Sequence, residues 1–588
     1  MRRVCYRAVF EIKRKLRILW EVKTEIPTEP ADSVRSVRFV RVVMWTATIA
    51  VGLLQAWRAR FDISGDGNSY LDVASAYLRG DFANAINAYW SPLYSWLIAF
   101  VLWAFKPSGY WESTILHLLD FAGLLVALRA FEFFFSTFLV AKQNFARPEG
   151  DSVQLPVVAW WTLGYGLFFN ATTEVLSMYP TSPDAWVCGV TFLSAGLILK
   201  IFIKGGGLAY FAALGLVLGL GYLTKAFYFP LAFVFLGTAW LASHGLRKNL
   251  TGAIIALLIF ALLAGPFVFG LSRAKHRFTY GDVGKIAYAE FMDWLPQPIF
   301  WEGGDGSGTP KHPARIILSS PRVYEFAEPI GGSYPMWYDP SYWKDGIEVH
   351  FHLVNELKIL RQSAGTFFLI LLTQLEYFVG LAMLVFCNVR AREWIEVTRR
   401  RWFLWLPAAA ACLGFASVLV EGRYVASFLV ILWVAAFASS FGSTTVASRR
   451  VAGAVILAAV LVTSMKTLKF VVSDVLAIPK QVNENWEAAQ KLKGIGVSPS
   501  DRVALIGVIG EQHWMRLAKV KAVAQLRYRD EKEFWTGDAS LQDSVFMAFS
   551  ATGSRVVVAT HAPLSAVKEG WIRLGETDYY AHFLPAKP

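Results

Sequence analysis

Charge is scarce in this 588-residue chain. Asp, Glu, Lys and Arg make up only 17% of it, against about 25% in a typical soluble chain, and the shortfall excludes an ordinary soluble multidomain protein. Cysteine is scarcer still. Cys5, Cys188, Cys387 and Cys412 are the full set, one near the start and three inside apolar runs, so no disulfide framework or CxxC metal motif is available. The first long apolar run begins near residue 39, behind a basic arm, which leaves no cleavable signal peptide. A full glycine fingerprint is missing as well: Gly507 and Gly510 of GVIGEQ follow a predicted strand, but the third glycine of a dinucleotide loop is absent.

What is present is apolar patterning. Hydrophobic residues make up 55% of the chain and its mean hydropathy is +0.41, with the apolar residues gathered into helix-length runs separated by short charged loops. The runs lie at about 39–57, 114–139, 183–203, 208–223, 226–243, 250–271, 365–388, 402–420, 424–441 and 451–470, and a span needs about 20 such residues. Two shorter runs, 92–106 and 156–170, are ambiguous. Lys plus Arg exceed Asp plus Glu by 57 to 44, a net charge of +13, yet the cations collect in residues 1–38, at HGLRKN, at VRAREWIEVTRRRW and at Arg449 and Arg450. That is the pattern of cytoplasmic loops, so the basicity reports topology and not a nucleic-acid partner. All four basic loops share one face only if one short run stays out of the bilayer, and 92–106, opening on Ser91 and Pro92, is the better candidate.

The resulting fold expectation is mainly α: a transmembrane bundle of about 11 spans over residues 39–470, a basic amphipathic arm at 1–38 lying on the inner leaflet, and a small α/β domain at 471–588. Predicted strands at Arg502, Lys519 and Arg555 alternate with predicted helices near 482–493, 511–518 and 540–550. Residues 58–91, the turn at 171–184, the 93-residue loop 272–364 and the tail then face outward.

The outward face holds the polar chemistry. Asp62, Asp66, Asp72 and Asp81 follow the first span, and Asp66, between Gly65 and Gly67, starts a helix whose Tyr70, Ala74 and Tyr77 share one face. Asp66 suits either a general base beside an apolar wall or a helix cap. In SPDAW, Ser182, Pro183 and Asp184 make a helix start, and Asp184 falls on the same side as Asp66, where the pair would bind an acceptor or a divalent metal. Lys225 in LTKAF, and Arg423 with Tyr424 in EGRYVASFL, are cations on the wrong side of the orientation rule; a snorkelling cation or a phosphate contact explains each. Arg273, Lys275 and Arg277 open the long loop and are further phosphate candidates. Its Tyr334, Trp337, Tyr338, Tyr342 and Trp343 suit helix packing or sugar stacking. His350 and His352 would share a strand face as a metal pair without a third ligand. Within spans, Arg129 and Glu132 are spaced to pair, and Asp120 and Glu376 call for partners.

Together GDGNSYLDVA, SPLYSW, SPDAW, LTKAF and EGRYVASFL, in that order, make residues 39 to about 440 resemble the GT-C superfamily of membrane glycosyltransferases, which includes protein mannosyltransferases and lipid A aminoarabinose transferases. The resemblance implies a catalytic base at Asp66, a second acidic residue at Asp184, and a polyprenyl-phosphate site at Lys225 and Arg423, with Tyr70 and Tyr424 as neighbouring substrate contacts. It further implies inverting transfer of a sugar from a polyprenyl-phosphate donor to a lipid, glycan or protein acceptor at the extracytoplasmic face of a bacterial inner membrane, with a divalent metal as an optional cofactor. Members often carry Asp-Glu where this chain has Asp66-Gly67, which leaves a second carboxylate there without a counterpart. A transporter or flippase of a lipid-linked sugar is the alternative, and a non-catalytic scaffold a third reading.

Overall fold

The structure is a computed structural model that describes residues 31–143, 155–292, 294–295, 300–304, 306–326, 330–388, 391–440, 446–507, 513–560, 562–563 and 570–585. The basic arm through residue 30, Gly510 and Cys5 lie outside the described residues.

The chain runs through helices α1 (Ala31–Arg58), α2 (Gly65–Leu78), α3 (Pro92–Phe105), α4 (Glu112–Gln143), α5 (Val157–Asn170), α6 (Asp184–Lys204), α7 (Leu208–Thr224), α8 (Tyr228–Ala242), α9 (Leu246–Ala274) and α10 (Val283–Met292). Strands β1 (Arg315–Ser319) and β2 (Arg322–Glu325) follow, then α11 (Leu353–Thr373), α12 (Leu375–Asn388), α13 (Ala391–Arg400), α14 (Trp402–Ala416), α15 (Gly422–Ser440) and α16 (Val446–Ala477). The chain closes with α17 (Glu484–Gly494), β3 (Arg502–Ile506), α18 (His513–Ala518), β4 (Lys521–Leu526), α19 (Ala539–Ala551), β5 (Val556–Thr560), β6 (Ile572–Arg573) and β7 (Tyr579–Phe583). Among the described residues six helices are long and apolar enough to cross a membrane, or seven if one bent pair counts as a single span, and four apolar helices are shorter: α3, α7, α8 and α14.

The 365–388 run, expected as one span, breaks instead. It is α11 followed by α12 at 85°, with Gln374 between them. Gln374 is buried; its amide donates to Asn170 Oδ1 at 3.0 Å and accepts from Trp433 Nε1 at 2.8 Å. A polar side chain tied to two other helices holds the kink, which apolar counting alone does not register. Glu132 is likewise absorbed by the bundle: it accepts from Arg41, Trp45 and Tyr165 and sits 3.5 Å from Arg129. Asp120 accepts from Tyr94, and Glu376 from Lys466.

The short α5 is prolonged by a π-helical turn, Ala171–Leu176, so the helical segment continues six residues past Asn170. The 14-residue α3 spans about 21 Å at 1.5 Å per residue, short of an apolar bilayer core of about 30 Å, and its neighbour is α2.

Beyond one end of the bundle lies a single seven-stranded sheet in the order β1-β2-β4-β3-β5-β7-β6. The predicted tail strands are β4, β3 and β5, mutually parallel. The long loop adds β1 and β2, with β2 antiparallel to β4, an edge extension with no local signal in the loop's Gly- and Pro-rich sequence. His350 and His352 are exposed and outside any strand. Their alternating pattern ends at the start of α11, with His352 at its cap position. One hydrophobic core runs from Tyr70, Leu71, Trp90 and Tyr94 near α2 and α3 through Tyr334 and Trp343 to Trp514 and Val503 of the sheet layer.

The approach of α2 to the turn before α6 depends on Gly67. A Cβ there would overlap the hydroxyl of Thr181, which is itself buried and 3.2 Å from Ser64 Oγ. Gly67→Ala is expected to lower stability by about 1 to 3 kcal/mol through overpacking, read as a fall in the thermal midpoint of the detergent-solubilised protein; an unchanged midpoint means the two segments do not meet as described.

Candidate active site

Four separate chain segments converge at one end of the bundle: the start of α2, the π turn with the start of α6, the α7–α8 junction and the start of α15. At α2 the cap is Ser64, whose Oγ accepts from Gly67 N at 3.1 Å. Asp66 therefore has no capping duty. Of the four carboxylates in the first outer segment, Asp62 pairs with Arg58, Asp81 caps a short helix and Asp72 faces away. Asp66 alone among them lines a cavity of about 440 Å³, together with Ser64, Val175, Leu176, Glu421 and Arg423.

Asp184 stands at the first position of α6 and is almost fully buried. Lys225 Nζ donates to its Oδ1 at 2.7 Å and Ser182 Oγ to its Oδ2 at 3.0 Å, while the same Ser182 oxygen accepts from the Asp184 backbone N–H at 3.5 Å. Arg423 lies between the two aspartates, 3.6 Å from Asp66 and 3.7 Å from Asp184, and pairs with Glu421 at 2.6 Å. Tyr424 lies beneath both cations: Lys225 Nζ is 3.5 Å and the Arg423 guanidinium 5.1 Å from its ring centre, a cation–π floor. The result is a chain of alternating charge, Asp66–Arg423–Asp184–Lys225, across three helices and one interhelical break. The guanidinium takes the place between the aspartates that a divalent ion would need, so the two do not fit a bridging metal. Among the described residues no group of three or more His, Cys, Asp or Glu gathers in a metal-binding arrangement.

Close approach again requires glycine. A Cβ on Gly422 would meet the Val175 carbonyl at 2.7 Å, so the π turn and the Arg423 end of α15 pack backbone to backbone. The π turn, whose extra residue shifts the register of the helix end, is a feature common at functional sites.

Burial raises the Asp66 carboxyl above its ordinary range; Arg423 and a hydrogen bond from Trp337 Nε1 at 3.3 Å oppose that rise, and Asp184 and Glu421 add to it. Trp337 comes from the long loop, held where its carbonyl accepts from Ser69 at 2.7 Å. Tyr70, one turn beyond Asp66, is buried with its ring against Trp90 at 5.0 Å and Tyr94 at 4.9 Å, part of a hydrophobic core and not of the cavity lining.

Sequence reasoning brings Asp66, Asp184, Lys225, Arg423 and Tyr424 to one place; it leaves Glu421 out, gives Ser182 only a helix start and treats Trp337 as one of five packing or stacking aromatics. Glu421 is two residues from Arg423 and Ser182 two from Asp184, so adjacency was an available signal for both; Trp337 had none, being one aromatic among many in the loop. The other loop aromatics are structural, as Tyr334 bonds Gln525, Tyr338 bonds the Asn84 carbonyl, Trp343 bonds the Pro335 carbonyl and Tyr342 stacks on His312. Lys275 and Arg277 do not reach the cavity. Lys275 bonds the Ser341 carbonyl near Asp345, and Arg277 bonds Asp282, while Arg273 is exposed: acidic groups of the loop claim the two cations first.

The structure superposes on ArnT from Cupriavidus metallidurans in the apo state with a TM-score of 0.51 and 12% identity, covering 93% of this chain and all of that one. The same enzyme bound to undecaprenyl phosphate gives 0.51 and 12%, covering 92% and 99%. An Archaeoglobus fulgidus oligosaccharyltransferase in complex with Zn and sulfate gives 0.44 and 12%, covering 89% and 68%. No family model matches the sequence, and no curated protein matches it. The chain has the GT-C fold.

Proposed function

We propose that the protein is an integral membrane glycosyltransferase that moves a sugar from a polyprenyl-phosphate donor to a hydroxyl of a lipid, glycan or protein acceptor, with inversion, at the extracytoplasmic face of a bacterial plasma membrane. The observation that carries the reading is a recess holding one carboxylate free of capping duty, Asp66, beside two cations ordered by a second carboxylate. The fold shared with ArnT, one structure of which contains undecaprenyl phosphate, supports the donor class. The basic loops at the opposite end of the bundle support the sidedness.

In this reading Lys225 and Arg423 hold the donor phosphate. Glu421 sits at the cavity rim on the Arg423 fork, and an arriving phosphate oxygen takes its place, since a guanidinium fork accepts either anion in the same geometry. The acceptor oxygen forms its bond to the anomeric carbon as the bond to the phosphate oxygen breaks. The cations stabilise the departing phosphate, and Asp66 takes the acceptor proton. Asp184, saturated by Lys225, Ser182 and Arg423, orients the cations and does not itself abstract a proton. Tyr424 supports both cations from below, and Tyr70 packs behind Asp66 against Trp90 and Tyr94.

Asp66→Asn is isosteric and cannot take a proton. It is expected to cut transfer by at least about 100-fold while retaining binding of radiolabelled polyprenyl phosphate; normal turnover in a reconstituted assay rejects the base assignment. In proteoliposomes the parental protein should release polyprenyl phosphate, whereas a flippase moves the donor intact.

A base whose pKa is raised by burial loses activity as pH falls through that raised value. Removing the Trp337 hydrogen bond removes one influence that holds it down, so in Trp337→Phe the acid limb of the kcat profile should move to higher pH. A limb that stays or moves to lower pH separates Asp66 from the limb.

A further inference from the structure

The two faces of α2 do different things. Asp66 lines the cavity, and Tyr70, four residues on, packs against Trp90 and Tyr94. Asn68 and Asp72, also four apart, point to the far side, because two residues advance a helix by about 200°. That far side is where the α/β layer touches the helix.

Arg516, on α18 of the α/β layer, is the centre of the contact. Its Nη1 donates to Asp72 Oδ1 at 3.0 Å, and its Nε and Nη2 donate to the two oxygens of Glu112, at the start of α4, at 2.9 and 2.7 Å. Asp72 is held from a second direction by the backbone N–H of Ser333 at 2.6 Å, and the Ser333 carbonyl accepts from Ala522 of β4 at 3.1 Å. One turn back along α2, Asn68 Oδ1 lies 2.8 Å from His513 Nδ1. His513 is buried, and burial lowers its imidazole to about 4 against the opposing pull of Glu112. It is therefore neutral at working pH, and Arg516 is the cation that answers both carboxylates. The forked geometry suits this: one guanidinium binds a carboxylate through two parallel bonds and still has a third edge for Asp72.

We propose that Arg516 and Asp72 are positioning residues, through which the carboxy-terminal α/β layer clamps α2 and fixes the attitude of Asp66 toward the recess. The inference rests on the base role given to Asp66. It assigns the α/β layer a part in the chemistry: Arg516 locks the rotation of α2 from behind, and misplacing a reacting group by about 1 Å can cost on the order of 100-fold in rate.

The test is the pH profile and the kcat–KM split of Arg516→Ala, Arg516→Lys and Asp72→Asn in the full-length, reconstituted protein. The expected result for Arg516→Ala is a 10- to 100-fold fall in kcat, on the order allowed for misplacement, with the donor KM within about twofold, and an acid limb moved to lower pH as the freed helix lets water reach Asp66. Arg516→Lys keeps the charge without the fork and should be intermediate. Asp72→Asn retains shape and the Ser333 contact; it should reproduce the limb shift, and combined with Arg516→Ala it should add little, as members of one network do. If Arg516→Ala does not accumulate as folded protein, the limb position in Asp72→Asn decides. A fall in kcat with an unmoved limb, or parental kcat in Asp72→Asn, overturns the positioning role. Asp66→Asn separates the two readings: if it abolishes turnover while these variants keep the parental limb, only the clamp is wrong; if it retains turnover, the base assignment fails and the clamp with it.

Discussion

The structure of the candidate site depends on Arg423 standing between two aspartates that arrive from different helices. Asp66 comes from a helix outside the bundle, Asp184 from the start of a membrane-spanning helix, and Lys225 from the break between two others. Each charge is answered by a neighbour of the opposite sign. Recessed charges survive only in such arrangements, and removing one partner from a buried pair typically costs about 3 to 5 kcal/mol. The same chain leaves Asp66 with the weakest set of contacts, a 3.3 Å hydrogen bond and a 3.6 Å ion pair, while Asp184 is enclosed. Two carboxylates near one cation thus have different surroundings.

Backbone geometry permits the convergence. Gly67 lets α2 lie against the Thr181 turn, and Gly422 lets α15 lie against the π turn; a side chain at either place would push apart segments that carry the charges. On the other side of α2, Arg516 and the Ser333 backbone hold the helix from the sheet layer. Asp66 is thereby set by contacts on both faces of one 14-residue helix.

Much of this was legible in the sequence because the signals were local or followed a period. Apolar runs mark the helices, and β-branched runs at Arg502, Lys519 and Arg555 mark the strands that pair in parallel. Charged residues at the ends of apolar runs pointed to Asp66, Asp184, Lys225 and Arg423, which pair with one another. What escaped was non-local. The strands β1 and β2 join a sheet whose other members lie some two hundred residues later, and pairing at that distance leaves no mark in composition. The kink at Gln374 exists because Asn170 and Trp433 stand opposite it, and Trp337 matters because the long loop folds back over α2. Capping turns on a neighbour: the residues around Asp66 suit either a start signal or a base, and Ser64, two residues earlier, is the cap, which leaves the carboxylate without that duty.

The central claim is that Lys225 and Arg423 form a phosphate seat with Asp66 at its edge. Its most direct test is a structure of the protein with polyprenyl phosphate bound. The account predicts the phosphate oxygens within hydrogen-bond distance of both cations, with Glu421 displaced from the guanidinium and Asp66 facing the cavity; a phosphate bound elsewhere, with the Arg423–Glu421 pair intact, contradicts it.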